Sequence, residues 1–164
     1  MALNGHTLLV GTTDGLYAAE HGANGYTARL LGFEGRGMFR AAVLVDCADS
    51  NVLYAGTLKA GAWRSDDRGK SWREIGNGLI HKEVWSIAQN RKSGRLFIGT
   101  SPVFLFTSDD RGEHWTERES IEHIPTTKAW HGPVPPHVAR LKDIATPFDD
   151  DQLVYGAIEE GWAV

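Results

Sequence analysis

The chain has 164 residues, 41% of them hydrophobic and 23% charged, with a formal net charge of -4. That length suits one domain with a real core, and its 17 Lys and Arg residues are dispersed, which argues against nucleic acid as a partner. The lone cysteine, Cys47, excludes an intrachain disulfide, and no apolar stretch approaches the roughly 20 residues that cross a membrane.

The N-terminal stretch "MALNGHTLLVGTTDG" has no basic start followed by an apolar run. A cytoplasmic chain without a signal peptide is therefore expected. Its first predicted strand is Thr7–Val10, closed by Gly11, and "AAEHGANGYTARLL" follows. A second unit begins with "FRAAVLVD", turns through "CADSN", runs on as "VLYAG" to Gly56, and ends in "RSDDRGKSW". A third repeats the order as "VWSIAQN", "RKSG", "RLFIG" to Gly99 and "SDDRGEHW". The fourth gives "VARLKDIATP", "FDDDQ" and "LVYG" to Gly156, then reaches Val164. Gly11, Gly56, Gly99 and Gly156 are spaced by 45, 43 and 57 residues.

These runs are short, rich in Val, Ile, Leu, Tyr and Phe, and bounded by Gly or Asp, which are strand features. One unit reads strand A, polar turn, strand B, short loop, strand C, Asp-rich turn, strand D. Four strands in about 43 residues are the mark of a β-propeller blade. The predicted fold is all-β, with blades at about 1–33, 38–76, 83–119 and 137–164, the last incomplete. Three and a half blades make a partial ring, which further blades or self-association would close.

The repeated Asp-rich unit resembles the Asp-box, the bacterial neuraminidase repeat Ser-x-Asp-x-Gly-x-x-Trp. Ser65, Asp67, Gly69 and Trp72 match it, as do Ser108, Asp110, Gly112 and Trp115. Ser and Asp side chains accept hydrogen bonds from turn amides, Gly supplies positive φ, and Trp adds an apolar plane. Catalysis by Asp66, Asp67, Asp109 and Asp110 would need them to converge, whereas turns on successive blades diverge. A structural role is expected. The resemblance implies that the boxes lie on the side away from the usual site. It extends to sialidases, sortilin-type receptors, a photosystem assembly factor and repeat proteins called sialidase-like or glycosyl-hydrolase-like.

The opposite face would carry the B–C and D–A loops. Its candidates are Asp14, Lys59 and the acid pair Glu159-Glu160 on the former. Arg36, Arg40 and His81 stand on two of the latter, the arginines suited to clamp a carboxylate. The third, "SIEHIPTTKAWHGPVPPH", is 14 residues longer than the repeat requires and holds His123, Trp130, His131 and His137. A long loop on a rigid scaffold is a usual seat of binding, and Trp130-His131 could stack on a sugar ring. The histidines show no metal-binding spacing and no phosphate loop occurs, so neither metal nor cofactor is expected. Two functions remain: a non-enzymatic scaffold binding a glycan or protein, or an exo-sialidase-like or other glycoside hydrolase. Of the Phe/Tyr-Arg-Ile-Pro motif that the sialidase resemblance implies, only Phe39-Arg40 is present.

Overall fold

A computed structural model describes residues 7–35, 42–121, 123–133 and 135–159. Strands β1 (Thr7–Gly11), β2 (Leu16–Gly22) and β3 (Gly25–Gly32) form an antiparallel meander. A second sheet follows in the order β4 (Ala42–Val45), β5 (Leu53–Thr57), β6 (Gly61–Ser65) and β7 (Arg73–Glu74). The third repeats it with β8 (Val84–Gln89), β9 (Leu96–Thr100), β10 (Leu105–Ser108) and β11 (Thr116–Glu117). Strands β12 (Arg140–Ala145) and β13 (Tyr155–Glu159) pair as the fourth. This is a partial β-propeller of about three and a half blades. The long loop adds two short 3-10 turns, Glu119–Ile121 and Thr127–Ala129, and a single bridge between His131 and Val138.

Every residue of β5 and β9 is buried, because each lies inside its sheet and is covered on both faces. The core is accordingly three slabs between sheets. Leu16, Leu31 and Phe33 of the first sheet meet Leu53, Ala55, Trp63 and Trp72 of the second. Tyr54, Ala62 and Ile75 of the second meet Leu96, Ile98, Phe106 and Trp115 of the third. Phe97 of the third then packs with Leu141 and Ile144 of the fourth.

Inner strands β4, β8 and β12 lie side by side, and each passes close to strand B of the sheet before it. A Cβ on Gly56 would stand 2.3 Å from Val84 Cγ1. One on Gly99 would stand 2.3 Å from Ser86 Oγ and 2.6 Å from Leu141 Cγ. Gly56 and Gly99, which end two of the apolar runs, are thus where the next blade crosses. Polar hooks reinforce the crossings. Ser86 Oγ donates to the Leu141 carbonyl at 2.8 Å, and Asn90 Nδ2 donates to the Pro147 carbonyl at 2.9 Å.

Asp46, buried after β4, accepts from the Ala48 and Asp49 amides, from Tyr54 Oη and, across the interface, from Gln89 Nε2 at 3.1 Å. Burial pushes its carboxyl upward, but these hydrogen bonds outweigh burial and hold it below its ordinary value. Burial and the Asp46 charge push the Tyr54 phenol up to about 12.

Loop contacts sort the turns onto two faces. The Arg68 amide donates to the Asn51 carbonyl, joining a C–D turn to an A–B turn. On the other side the Gly61 and Ser101 amides donate to the Lys82 and Glu83 carbonyls, joining B–C to D–A loops. We expect Gly99→Ala to lower unfolding free energy by about 1–3 kcal/mol through overpacking. Gly22→Ala, whose Cβ would meet nothing closer than 3.8 Å, should change it by less than about 0.5 kcal/mol. Urea unfolding of the two variants checks both values.

Candidate functional site

The two Asp-rich turns share one geometry. Ser65 Oγ donates to Asp67 Oδ1 at 2.8 Å and accepts from the Gly69 amide at 2.7 Å. Asp67 Oδ1 accepts from the Lys70 and Ser71 amides at 3.0 and 2.9 Å, and Asp67 Oδ2 accepts from Ser71 Oγ at 2.7 Å. In the second turn Ser108 Oγ donates to Asp110 Oδ1 at 2.8 Å, and the Gly112 amide donates back at 2.9 Å. His114 replaces Ser71 there: its amide and its Nδ1 meet Asp110 at 2.9 and 2.7 Å. Positive φ is required at two successive residues, Arg68 and Gly69 (62° and 81°), then Arg111 and Gly112 (61° and 88°). Glycine carries only the second of each pair.

These bonds set the carboxyl chemistry. The Ser71 hydroxyl and amide hold the Asp67 carboxyl down at about 2, and the His114 amide and ring do the same for Asp110. A carboxylate so fully engaged with its own turn is no general base. Each tryptophan reaches the preceding blade. Trp72 Nε1 donates to the Leu31 carbonyl at 2.9 Å, and Trp115 Nε1 to the Ile75 carbonyl at 2.5 Å. Around the boxes, Asp66 accepts from Arg64 Nε at 2.9 Å and Glu113 pairs with Arg73, linking the second and third sheets.

The other face holds two hollows. The first, of about 470 Å³, is lined by Ala42, Val43, Trp85, Ser86, Ile87, Lys142 and Asp143 from inner strands β4, β8 and β12. Bulges interrupt two of these strands, between Val84 and Ser86 and between Leu141 and Asp143. The extra residues are Trp85 and Lys142, so both side chains are re-aimed at the same end of adjacent strands. Arg140, which opens β12, stacks over Trp85 at 4.5 Å. Trp85 Nε1 donates to Glu83 Oε1 at 2.9 Å. Glu159, which ends β13, accepts from Arg140 at 3.0 Å and from Lys142 at 2.5 Å. Lys142 foremost, with Arg140, holds the Glu159 carboxyl below its ordinary value.

The second hollow, of about 580 Å³, lies against the long loop. Pro102, Val103, Ile121 and Val138 make apolar walls, with Trp130 and His137 beside them. His137 Nδ1 meets the Gly132 carbonyl at 3.0 Å.

Of the candidates named from sequence, Arg36, Arg40 and Glu160 lie outside the described residues. Lys59 is exposed on the β5–β6 turn, and Asp14 accepts from Tyr17 Oη at 3.2 Å. His81 stacks on Phe104 with ring centres 4.2 Å apart. His131 lies in the bridge with Val138, its Nδ1 2.9 Å from the Ala129 carbonyl, while Trp130 faces the second hollow. Trp85, Arg140 and Lys142 were not named from sequence. Among the described residues no group of three His, Cys, Asp or Glu side chains is placed to hold a metal ion, and no helix is long and apolar enough to cross a membrane.

Residues 63–75, the first box with strand β7, match the BNR-Asp box repeat. The chain carries a BNR-Asp box repeat on a β-propeller fold. This propeller is similar to the crystal structure of an ancestral GH74 enzyme at 20% identity and a TM-score of 0.64, over 97% of this chain and 21% of that one. It is also similar to the GH74 xyloglucanase from Xanthomonas campestris at 23% identity and a TM-score of 0.42, over 63% and 21% of the two chains. It thus spans about a fifth of the length of either enzyme. No curated protein matches it.

Because Asp67 and Asp110 titrate at about 2 in the folded Asp-box propeller, their stabilisation is complete above the ordinary carboxyl range. It is lost as pH falls from about 4 to about 2. Asp67→Ala and Asp110→Ala should therefore destabilise strongly at pH 7 and little at pH 2, as read from urea midpoints. Trp115→Phe should cost about 1–3 kcal/mol, because it strands the Ile75 carbonyl in a buried interface. Thermal unfolding of that variant tests the value.

Proposed function

We propose that the chain is the ligand-binding part of a non-catalytic propeller, and that its ligand is a glycan on the face opposite the Asp-boxes. The observation that carries this reading is the second hollow, where an indole stands beside apolar walls and an imidazole. Pockets of that kind bind through apolar area and orient ligands through a few polar groups. A pyranose offers both, an apolar ring face to Trp130 and hydroxyls to His137. The loop running from this hollow leads through Ala139 directly into Arg140, so the Arg140–Glu159–Lys142 cluster forms the charged end of the same surface. The glycoside-hydrolase-related fold supports a glycan over other ligands.

Glu159 is unsuited to be the general acid of a hydrolase. Glycoside hydrolysis by a carboxyl pair needs one member protonated near neutral pH. Two cations hold Glu159 ionised, so it accepts hydrogen bonds and does not deliver a proton. Asp67 and Asp110 stand on the other face.

Titration calorimetry with a panel of neutral and acidic oligosaccharides tests the reading. Trp130→Ala should weaken binding by up to about tenfold, the loss of one aromatic stacking contact, with little change in Tm. Turnover of aryl glycosides that disappears in Glu159→Gln would replace binding with hydrolysis as the function.

A further inference from the structure

One edge of the first sheet stands apart from both loop faces. β3 closes that sheet in the order β1-β2-β3, and among the described residues no strand pairs with it on its far side. Seven register pairs join it to β2, whereas β7 and β11 hold two each to their neighbours. The difference has a local cause. In the second and third sheets an Asp-box takes up the residues of this hairpin, but in the first Ala23 and Asn24 alone form the turn. We infer that the outer edge of β3 pairs antiparallel with the same edge of a second copy of the chain, joining two first sheets into one.

The hairpin fixes which backbone groups are offered. Gly22 and Gly25 flank a two-residue turn, so they exchange both of their backbone bonds. Antiparallel pairs then alternate, and Tyr26, Ala28 and Leu30 point their N–H and C=O groups away from β2. His21 and Tyr26, a pair of the unbonded and closer kind, bring their ring centres to 5.0 Å, edge to face. A bulge opposite Leu16 ends the regular stretch beyond Leu30. Every residue from Gly25 to Leu30 is exposed, Tyr26 by 59% and Leu30 by 39%.

Sheet proteins blunt free edges with short strands, charge or proline. β7 and β11 follow that rule, since each has two residues and ends in a glutamate. β3 has eight residues, no proline and one charge, Arg29. That guanidinium leans back toward β2, 3.8 Å from Glu20.

The residue order suits a copy of itself. A two-fold axis through Ala28 sets Ala28 against Ala28 and each Tyr26 against a Leu30, every pair exchanging two backbone bonds. The residue that must face its own copy is small and uncharged. The flanking pairs join an aromatic to an aliphatic side chain, and Arg29 falls opposite Thr27 instead of a like charge. An extended segment of another protein could use the same donors and acceptors, but it would not need this symmetry.

Sedimentation velocity of the full chain from about 1 µM to about 1 mM should show a monomer–dimer equilibrium. Ala28→Lys sets two ammonium groups against each other on the axis. It should weaken dimerisation at least about tenfold with an unchanged circular dichroism spectrum. In a Cys47→Ser background, Ala28→Cys should form an intermolecular disulfide on mild oxidation, because the Cα atoms of a bonded pair stand about 5.5 Å apart. Lys59→Cys, on the exposed β5–β6 turn, should not. A chain that stays monomeric throughout would overturn the assignment, including one that takes an extended peptide at this edge. So would a dimer that survives Ala28→Lys unchanged and gives no crosslink through Ala28→Cys. Glycan binding on the loop face does not depend on either result.

Discussion

The sheets of this molecule are held together by a close approach that only glycine permits. Where strand B of one blade meets the inner strand of the next, Gly56 and Gly99 leave no room even for a methyl group. The inner strands can therefore pack nearly on the neighbouring backbone, with apolar slabs on either side of the crossing. Buried polar groups are satisfied across the same seams. Asp46 is bound by Gln89, and Asn90 by the turn before β13, so each interface joins apolar area to directional bonds.

That rigidity divides the two faces by role. On one, the carboxylates of the boxes are consumed by their own turns, which makes them good fasteners and poor reagents. On the other, two inner strands give up regular pairing at Trp85 and Lys142. A bulge lengthens one strand against its partner and turns a side chain that regular pleating would aim elsewhere. The side chains so freed join Arg140 and Glu159 in a compact charged group beside the apolar hollow. Both of these bulges lie on the face where side chains converge.

How much of this was legible depended on range. The Asp-box could be read from sequence because its Ser and Asp side chains bond atoms no more than four positions away. The strand order and the propeller followed from turn residues recurring at blade spacing. The partners of Trp72 and Trp115 lie 41 and 40 residues earlier, and no local pattern marks Leu31 or Ile75 as acceptors. Trp85 was missed for a related reason: "VWSIAQ" reads as an ordinary buried strand, and nothing in it announces a bulge. Glu159 was named as an acid, but its pairing depends on β12 lying beside β13 in a particular register. The 3-10 turns of the long loop carry no sequence period at all.

Those separations of 41 and 40 residues have a further meaning. Each tryptophan bond closes a chain segment of nearly the same length, so the second and third blades are attached for about the same loss of chain freedom. Adding a blade repeats that step and lengthens none of the earlier ones. The sequence distance spanned by the connecting bonds is fixed by the blade, not by the size of the ring, and assembly reduces to nearest-neighbour steps of equal span.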